Sequence, residues 1–227
     1  MLISSLPLPG SSSGTLGTPS RVEPADRVVL VHGMGRTKLS MLPLAWALER
    51  EGYEVLNWGY SSTCCTVTEL GHKLSAELRA DEGTANRRVH FVGHSLGNII
   101  IRAVLASDPP ENVGRVVMLA PPNQGSRAAD RYAPALGWLL RPLPELRSGA
   151  AGTASTLPLP EQVEVGIIAG RYDGKVSVAE SHLIGEADHV VVASAHTFLM
   201  NRSDVRRLTL AFLRQGRFGS VASPAGP

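Results

Sequence analysis

Cysteine is nearly absent from these 227 residues: there are two, Cys64 and Cys65, and they are neighbours. A bond between adjacent cysteines is strained, so no disulfide framework is expected, and no metal-ligand spacing is apparent. Net charge is equally slight. Twenty-two basic against 20 acidic residues leave +2, too even a balance for the electrostatic footprint of a nucleic-acid binder. Lysine is scarce, with Lys38, Lys73 and Lys175 standing among arginines. No apolar run approaches the ~20 residues that cross a bilayer. Met1 to Ile3 is apolar, but Pro7 and Pro9 interrupt it and no basic stretch precedes an unbroken apolar core. Residues 1–24 therefore read as a flexible extension rather than a secretory signal. Unpaired thiols and the lack of an evident signal favour the cytoplasm, although secretion stays open.

What is present is regular alternation. The length suits one domain, which would bury roughly 70–75% of the unfolded chain's surface; residues 25–216 are its expected span, with 217–227 a second tail. Arg27–Val31, Tyr53–Trp58, Val89–Val92, Arg115–Leu119, Val163–Ala169 and His189–Val192 are short apolar runs of strand type. Helical patterns separate them. One is expected from a Ser40 cap to Glu51, with Pro43 tolerable in its first turn and Gly52 ending it. Val67, Leu70, Leu74 and Leu78 share one helical face, as do Leu96, Ile99, Ile100, Ala103 and Val104. A last helix from Ser203 to Arg214 would bury Val205, Leu208 and Phe212 and stop at Gly216. Strand–helix alternation predicts an α/β fold, a mostly parallel sheet with helices on both faces and ligands beyond the strands' carboxyl ends.

Gly93-His94-Ser95-Leu96-Gly97 joins one of these strands to its helix. G-x-S-x-G there forces a sharp turn that holds the serine hydroxyl proud of the sheet edge at a helix N-terminus. An acyl-transfer nucleophile belongs in that position. The pentapeptide also arises by chance, and a turn made for packing alone is the competing reading. After the first strand comes His32-Gly33-Met34-Gly35-Arg36-Thr37-Lys38. It lacks the phosphate-loop spacing, and Lys38 stands where a dinucleotide fingerprint needs its third glycine. It reads better as the loop that lends a second backbone N–H, that of Met34, to an oxyanion hole beside that of Leu96. His32 would hold the loop. A plain turn is the alternative.

Arg115–Leu119 runs into Ala120-Pro121-Pro122-Asn123-Gln124-Gly125-Ser126. With the Val31–Gly35 loop and the pentapeptide around Ser95, this turn makes the chain resemble a compact lipase or esterase of the α/β-hydrolase superfamily. The matching segments spread from about residue 28 to 213 in the superfamily's order. The resemblance implies a cap or lid where 127–148 interrupts the alternation. There Tyr132, Leu136, Leu139, Leu140 and Leu143 form an apolar stripe broken by Pro134, Pro142 and Pro144. Ordinary packing against the domain explains the stripe equally well. Residues 149–160, small and proline-rich, read as a mobile surface loop completing an insert over 127–160.

A triad needs a carboxylate and a histidine at the sheet edge that carries the serine. Asp173 follows the fifth strand and His196 the sixth, and the order Ser95, Asp173, His196 is the superfamily's. A core histidine satisfied by backbone is the other reading of His196. Asp188 and His189 start the last strand, on the order of 20 Å from that edge. His182 lies in a connection, His94 inside the turn is structural, and His72 and His90 are ordinary helix and strand residues. The resemblance implies an ester hydrolase acting on a small acyl ester or lipid, with peripheral lipid contact open and neither metal nor organic cofactor required. Thioester, amide or acyl-transfer chemistry uses the same three residues. A non-catalytic binding module is the remaining alternative.

Overall fold

Six parallel strands form one sheet in the computed structural model, which describes residues 25–81, 84 and 87–219. They are β1 (Arg27–Val31), β2 (Glu54–Trp58), β3 (Val89–His94), β4 (Val113–Leu119), β5 (Val165–Gly170) and β6 (Asp188–Val192), in the order β2-β1-β3-β4-β5-β6. The tail expected at 1–24 and, of that expected at 217–227, residues 220–227 lie outside the described residues. Strand bounds depart from the sequence reading by one or two residues, as strand ends commonly do. β1, β3 and β5 are buried throughout, whereas the edge strands β2 and β6 are mostly half-buried. That gradient explains the unbroken apolar runs of the inner strands: with both faces covered there is no wet side to alternate with.

The pleat divides the core. Val28, Leu30, Val92 and Val117 face α1 (Leu42–Arg50) and the final helix, through Leu44, Leu48, Val205 and Phe212. Val29, Val31, Phe91 and Met118 face α2 (Val67–Ala80) and α3 (Leu96–Ser107), through Leu70, Leu74, Ile99 and Val104. α2 begins with a capping box in which Thr66 Oγ1 accepts from the Glu69 N–H while the Glu69 carboxylate accepts from the Thr66 N–H. Two shorter helices, α4 (Arg127–Leu136) and α5 (Val178–Ser181), precede the final one, α6 (Ser203–Gln215). No helix among the described residues is long and apolar enough to cross a membrane.

Three expectations change. Ser40 is not a helix cap: its hydroxyl donates to the Thr37 carbonyl, inside a 3-10 turn (Lys38–Met41) that precedes α1. Gly216 does end α6 in the left-handed conformation, φ 72°, but the packed chain continues past it. Phe218 is buried with its ring 5.0 Å from that of Phe212, and its N–H donates to Asp188 Oδ2. The segment from 149 to 160 is also tied down. Arg102, almost wholly buried on α3, donates to the Ala154 and Leu157 carbonyls, and the Thr153 and Ala154 N–H groups donate to the Glu145 carbonyl. A guanidinium taken out of water needs those acceptors. Burial pulls its pKa down to about 10, and it remains a cation at neutral pH.

The strand order places the site. The chain runs from β1 outward to β2, then crosses back to β3 and continues to β6, so the direction reverses between β1 and β3. A crevice opens beyond the carboxyl ends of strands flanking such a reversal. The loop after Val31 and the turn at Ser95 are the two segments there.

Candidate active site

Ser95 is the only residue between β3 and α3, and it takes φ 52° and ψ −119°, a strained conformation for a side chain-bearing residue. Its neighbours hold it there. The Ser95 N–H donates to the Leu119 carbonyl, and Asn98 Nδ2 donates to the carbonyls of both Ser95 and Leu119. A Cβ on Gly97 would overlap the Val31 carbonyl, and one on Gly93 would overlap Asn98 Oδ1. The glycines of the pentapeptide are therefore required by close approach of the chain to itself.

His196 opens a 3-10 turn beyond β6 and is nearly buried. Its Nε2 lies 2.9 Å from Ser95 Oγ and its Nδ1 2.6 Å from Asp173 Oδ2. The side chain of Asp173 is 0% exposed, and its second oxygen accepts from the N–H groups of Lys175 and Val176 at 2.8 and 2.9 Å. Burial alone would raise the carboxyl pKa. The bond to His196, the charge on that ring and the two amides outweigh it, so the pKa lies below the usual carboxylate range. An Asp173 that stays ionised can only accept from Nδ1–H, which leaves the lone pair of His196 on Nε2, facing Ser95. The structure thus joins by hydrogen bonds three residues that stand far apart in the chain.

The loop after β1 forms the opposite wall. His32 is buried, stacks on Tyr60 at 4.2 Å and places Nδ1 2.9 Å from the Gly33 carbonyl. Tyr60 donates its hydroxyl to the His32 carbonyl at 2.6 Å, and the Gly35 N–H donates to Ser62 Oγ at 2.8 Å. Burial lowers the His32 pKa and raises that of Tyr60, so both stay neutral and serve the loop. Nothing local in the sequence marked Tyr60 or Ser62 for this work. Between this loop and Ser95 opens a cavity of about 460 Å³, within the range of small-molecule pockets. Met34, Tyr132, Leu136, Leu140, Leu143 and Val176 line it beside Ser95 and His196. Leu139, which the sequence stripe included, is instead exposed.

Other histidines fall elsewhere. His94 is fully buried and places Nε2 3.0 Å from the His196 carbonyl, so it supports the loop that carries His196. Burial first, then the neighbouring His196 charge, push its pKa down to about 3. A Cβ on Gly33 would stand 2.8 Å from its Nδ1, which fixes a third glycine by packing. His90 sits inside β3, accepts the Arg115 N–H and is lowered by burial. His72 is exposed on α2. His182, Asp188 and His189 lie near the amino end of β6, away from the cavity. The sequence reading missed the Lys175 and Val176 amides that hold Asp173, because backbone donors carry no side-chain signature.

Solved structures share this architecture. The mature lipase BlEst2 of Bacillus licheniformis is 18% identical, with 89% of this chain and 96% of that one covered and a TM-score of 0.69. The lin2722 product of Listeria innocua is 14% identical over 84% and 94% of the two chains, TM-score 0.62. A metagenomic carboxyl esterase is 17% identical over 84% and 70%, TM-score 0.60. At such identities the likeness is one of fold. No curated protein sequence matches. The sequence itself fits the alpha/beta hydrolase family across residues 28–216, most of its length. The chain is a member of the alpha/beta hydrolase family.

Proposed function

We propose that the protein is a serine hydrolase of carboxylic (acyl) esters, of esterase or lipase type. The observation that carries the reading is the unbroken relay Ser95 Oγ–His196–Asp173, with 2.9 and 2.6 Å links, at the wall of an apolar cavity. A relay alone would suit several acyl chemistries. The lining of Leu136, Leu140 and Leu143 supports an acyl chain as the group held there, and the lipase and esterase named above share the fold.

The chemistry runs in two halves. Ser95 Oγ attacks the ester carbonyl while His196 Nε2 takes its proton, and Asp173 stabilises the imidazolium through Nδ1–H. The carbonyl oxygen becomes an oxyanion held by the backbone N–H groups of Met34 and Leu96, the latter at the N-terminus of α3, where the dipole favours negative charge. The C–O bond to the alcohol breaks and His196 returns the proton to the departing oxygen. Water, deprotonated by the same nitrogen, then attacks the acyl-enzyme and releases the acid. Every proton passes through Nε2, so the scheme uses no metal or organic cofactor.

A fluorophosphonate probe on the pure protein, with Ser95→Ala as control, tests the nucleophile. Labelling of the parent and none of the variant is expected; equal labelling of both would refute the assignment. Rates on p-nitrophenyl esters from acetate to palmitate, beside a matched thioester and anilide, test the substrate class. Faster turnover of the anilide or thioester than of every ester would overturn the ester reading.

A further inference from the structure

A second imidazole–carboxylate pair of under 3 Å occurs where the proposed ester chemistry does not use it. His182, just beyond α5, places Nδ1 2.7 Å from Glu186 Oε1, and its ring stacks on that of His189 with centroids 4.1 Å apart and 17° between planes. The other Glu186 oxygen accepts from the Leu183 N–H at 2.8 Å. His189 Nε2 lies 3.0 Å from Ser181 Oγ. One ligating atom from each of the three side chains falls within 4.8 Å of the other two. We propose that His182, Glu186 and His189 form a zinc-binding site where the strap between β5 and β6 meets the start of β6.

The donor set decides the metal. Two imidazole nitrogens and one carboxylate oxygen suit zinc, whereas calcium and magnesium require shells made of oxygen. At bond lengths of about 2.0–2.2 Å, tetrahedral ligand atoms lie about 3.4 Å from one another. That distance falls between the present 2.7 Å contact and the 4.8 Å limit of the cluster. Three side chains leave the fourth tetrahedral position to water, and because an imidazole binds a metal in its own plane, one ring must turn out of the stack; the half-exposed His182 is the member free to do so. The other two are already steered, Glu186 by the Leu183 amide and His189 by the Ser181 hydroxyl, as outer partners orient metal ligands elsewhere.

The strap explains what zinc would do. Asn123 Nδ2 donates to the Ser181 carbonyl, and Gln124 Nε2 donates to the His182 carbonyl. The same strap carries Asp173, three residues beyond the end of β5. Zinc joining the end of α5 to the start of β6 fastens this segment and raises folding stability by mass action. The inference stands apart from the ester reading, because its readouts are metal binding and unfolding.

The test uses the full chain, stripped with EDTA and desalted, then titrated with zinc chloride by calorimetry and followed by thermal unfolding. One zinc per chain is expected, with Tm rising by about 5 °C once zinc exceeds its Kd by ~100-fold. Calcium and magnesium chlorides should leave Tm unchanged. His182→Ala and Glu186→Gln, the first at a half-exposed side chain and the second a near-isosteric change, should each weaken zinc binding at least ~10-fold. No zinc binding up to millimolar concentration overturns the proposal. Undiminished binding by both variants also overturns it, by placing the metal elsewhere, at Cys64 and Cys65 for instance.

Discussion

Two histidine–carboxylate pairs in this molecule have almost the same separation, 2.6 Å in His196–Asp173 and 2.7 Å in His182–Glu186. Their surroundings differ. The side chains of the first pair are 8% and 0% exposed, those of the second 51% and 17%. Asp173 is further held by two amides, and the far nitrogen of His196 meets a serine on a strained backbone. The His182 ring, beyond Glu186, stacks on another imidazole. A short contact is therefore cheap to form. What distinguishes the proposed catalytic pair is that water is excluded from the carboxylate, three donors meet it rather than two, and a nucleophile stands in reach.

Mutation breaks that comparison most sharply. Ser95→Ala or His196→Ala should lower turnover of a p-nitrophenyl ester by a factor on the order of 10⁶, and Asp173→Asn by about 10⁴, by analogy with other serine triads. Glu186→Gln, at the equivalent place in the second pair, should leave kcat within ~3-fold, since its hydrogen bonds among the described residues go to His182 and a strap amide, away from the cavity. Equal losses at Asp173 and Glu186 would erase the distinction.

The two regions were not equally legible from sequence. Ser95, Asp173 and His196 each follow an apolar strand, and parallel strands deliver their ends to one edge, so pattern and topology together located them. The Pro-interrupted stripe over 127–148 announced only a break, because its path depends on contacts far away in the chain. Arg102 illustrates this. It looks like the solvent side of a helix, yet its acceptors are carbonyls 52 and 55 residues downstream. Ala120, at φ 44°, gives no hint either; it bends where its N–H reaches the Ile168 carbonyl. The His182 cluster was overlooked because its members belong to a turn and a strand edge, without the regular period that exposes a shared face.

A smaller effect sharpens the contrast through pH. His94 supports the buried pair from beneath and has its pKa pushed down to about 3 from an ordinary 6.5. Below pH 6.5 the unfolded chain binds a proton at this ring and the folded chain does not, so stability is complete above 6.5 and falls as pH drops toward 3. At pH 4.5 the loss from this residue alone is roughly 3 kcal/mol, a factor on the order of 100 in the folding equilibrium. Asp173, whose folded pKa is depressed, adds its own loss only at lower pH, below the ordinary carboxyl range. Urea unfolding of the parent and of His94→Asn at pH 7.5 and 4.5 reads the difference. The variant should lose roughly 3 kcal/mol less between the two pH values, and parallel slopes would remove His94 from the account.

The smallest expected effect falls on His189, the one residue of the second cluster embedded in the sheet that carries the site. It pairs with Ile167 of β5 in register, at the amino end of β6, and the strand then runs to Val192, four residues short of His196. A side chain there can reach Ser95 only by tilting the whole strand, and the buried partners of β5 oppose that. His189→Asn keeps a group able to meet Ser181 Oγ, so turnover measured in EDTA should change by less than ~10-fold, with whatever loss occurs appearing in Tm rather than in kcat. If instead kcat fell as far as in His196→Ala while Tm held, proton transfer would have to pass through the amino end of β6, and the relay at Ser95 would not be the route the reaction takes.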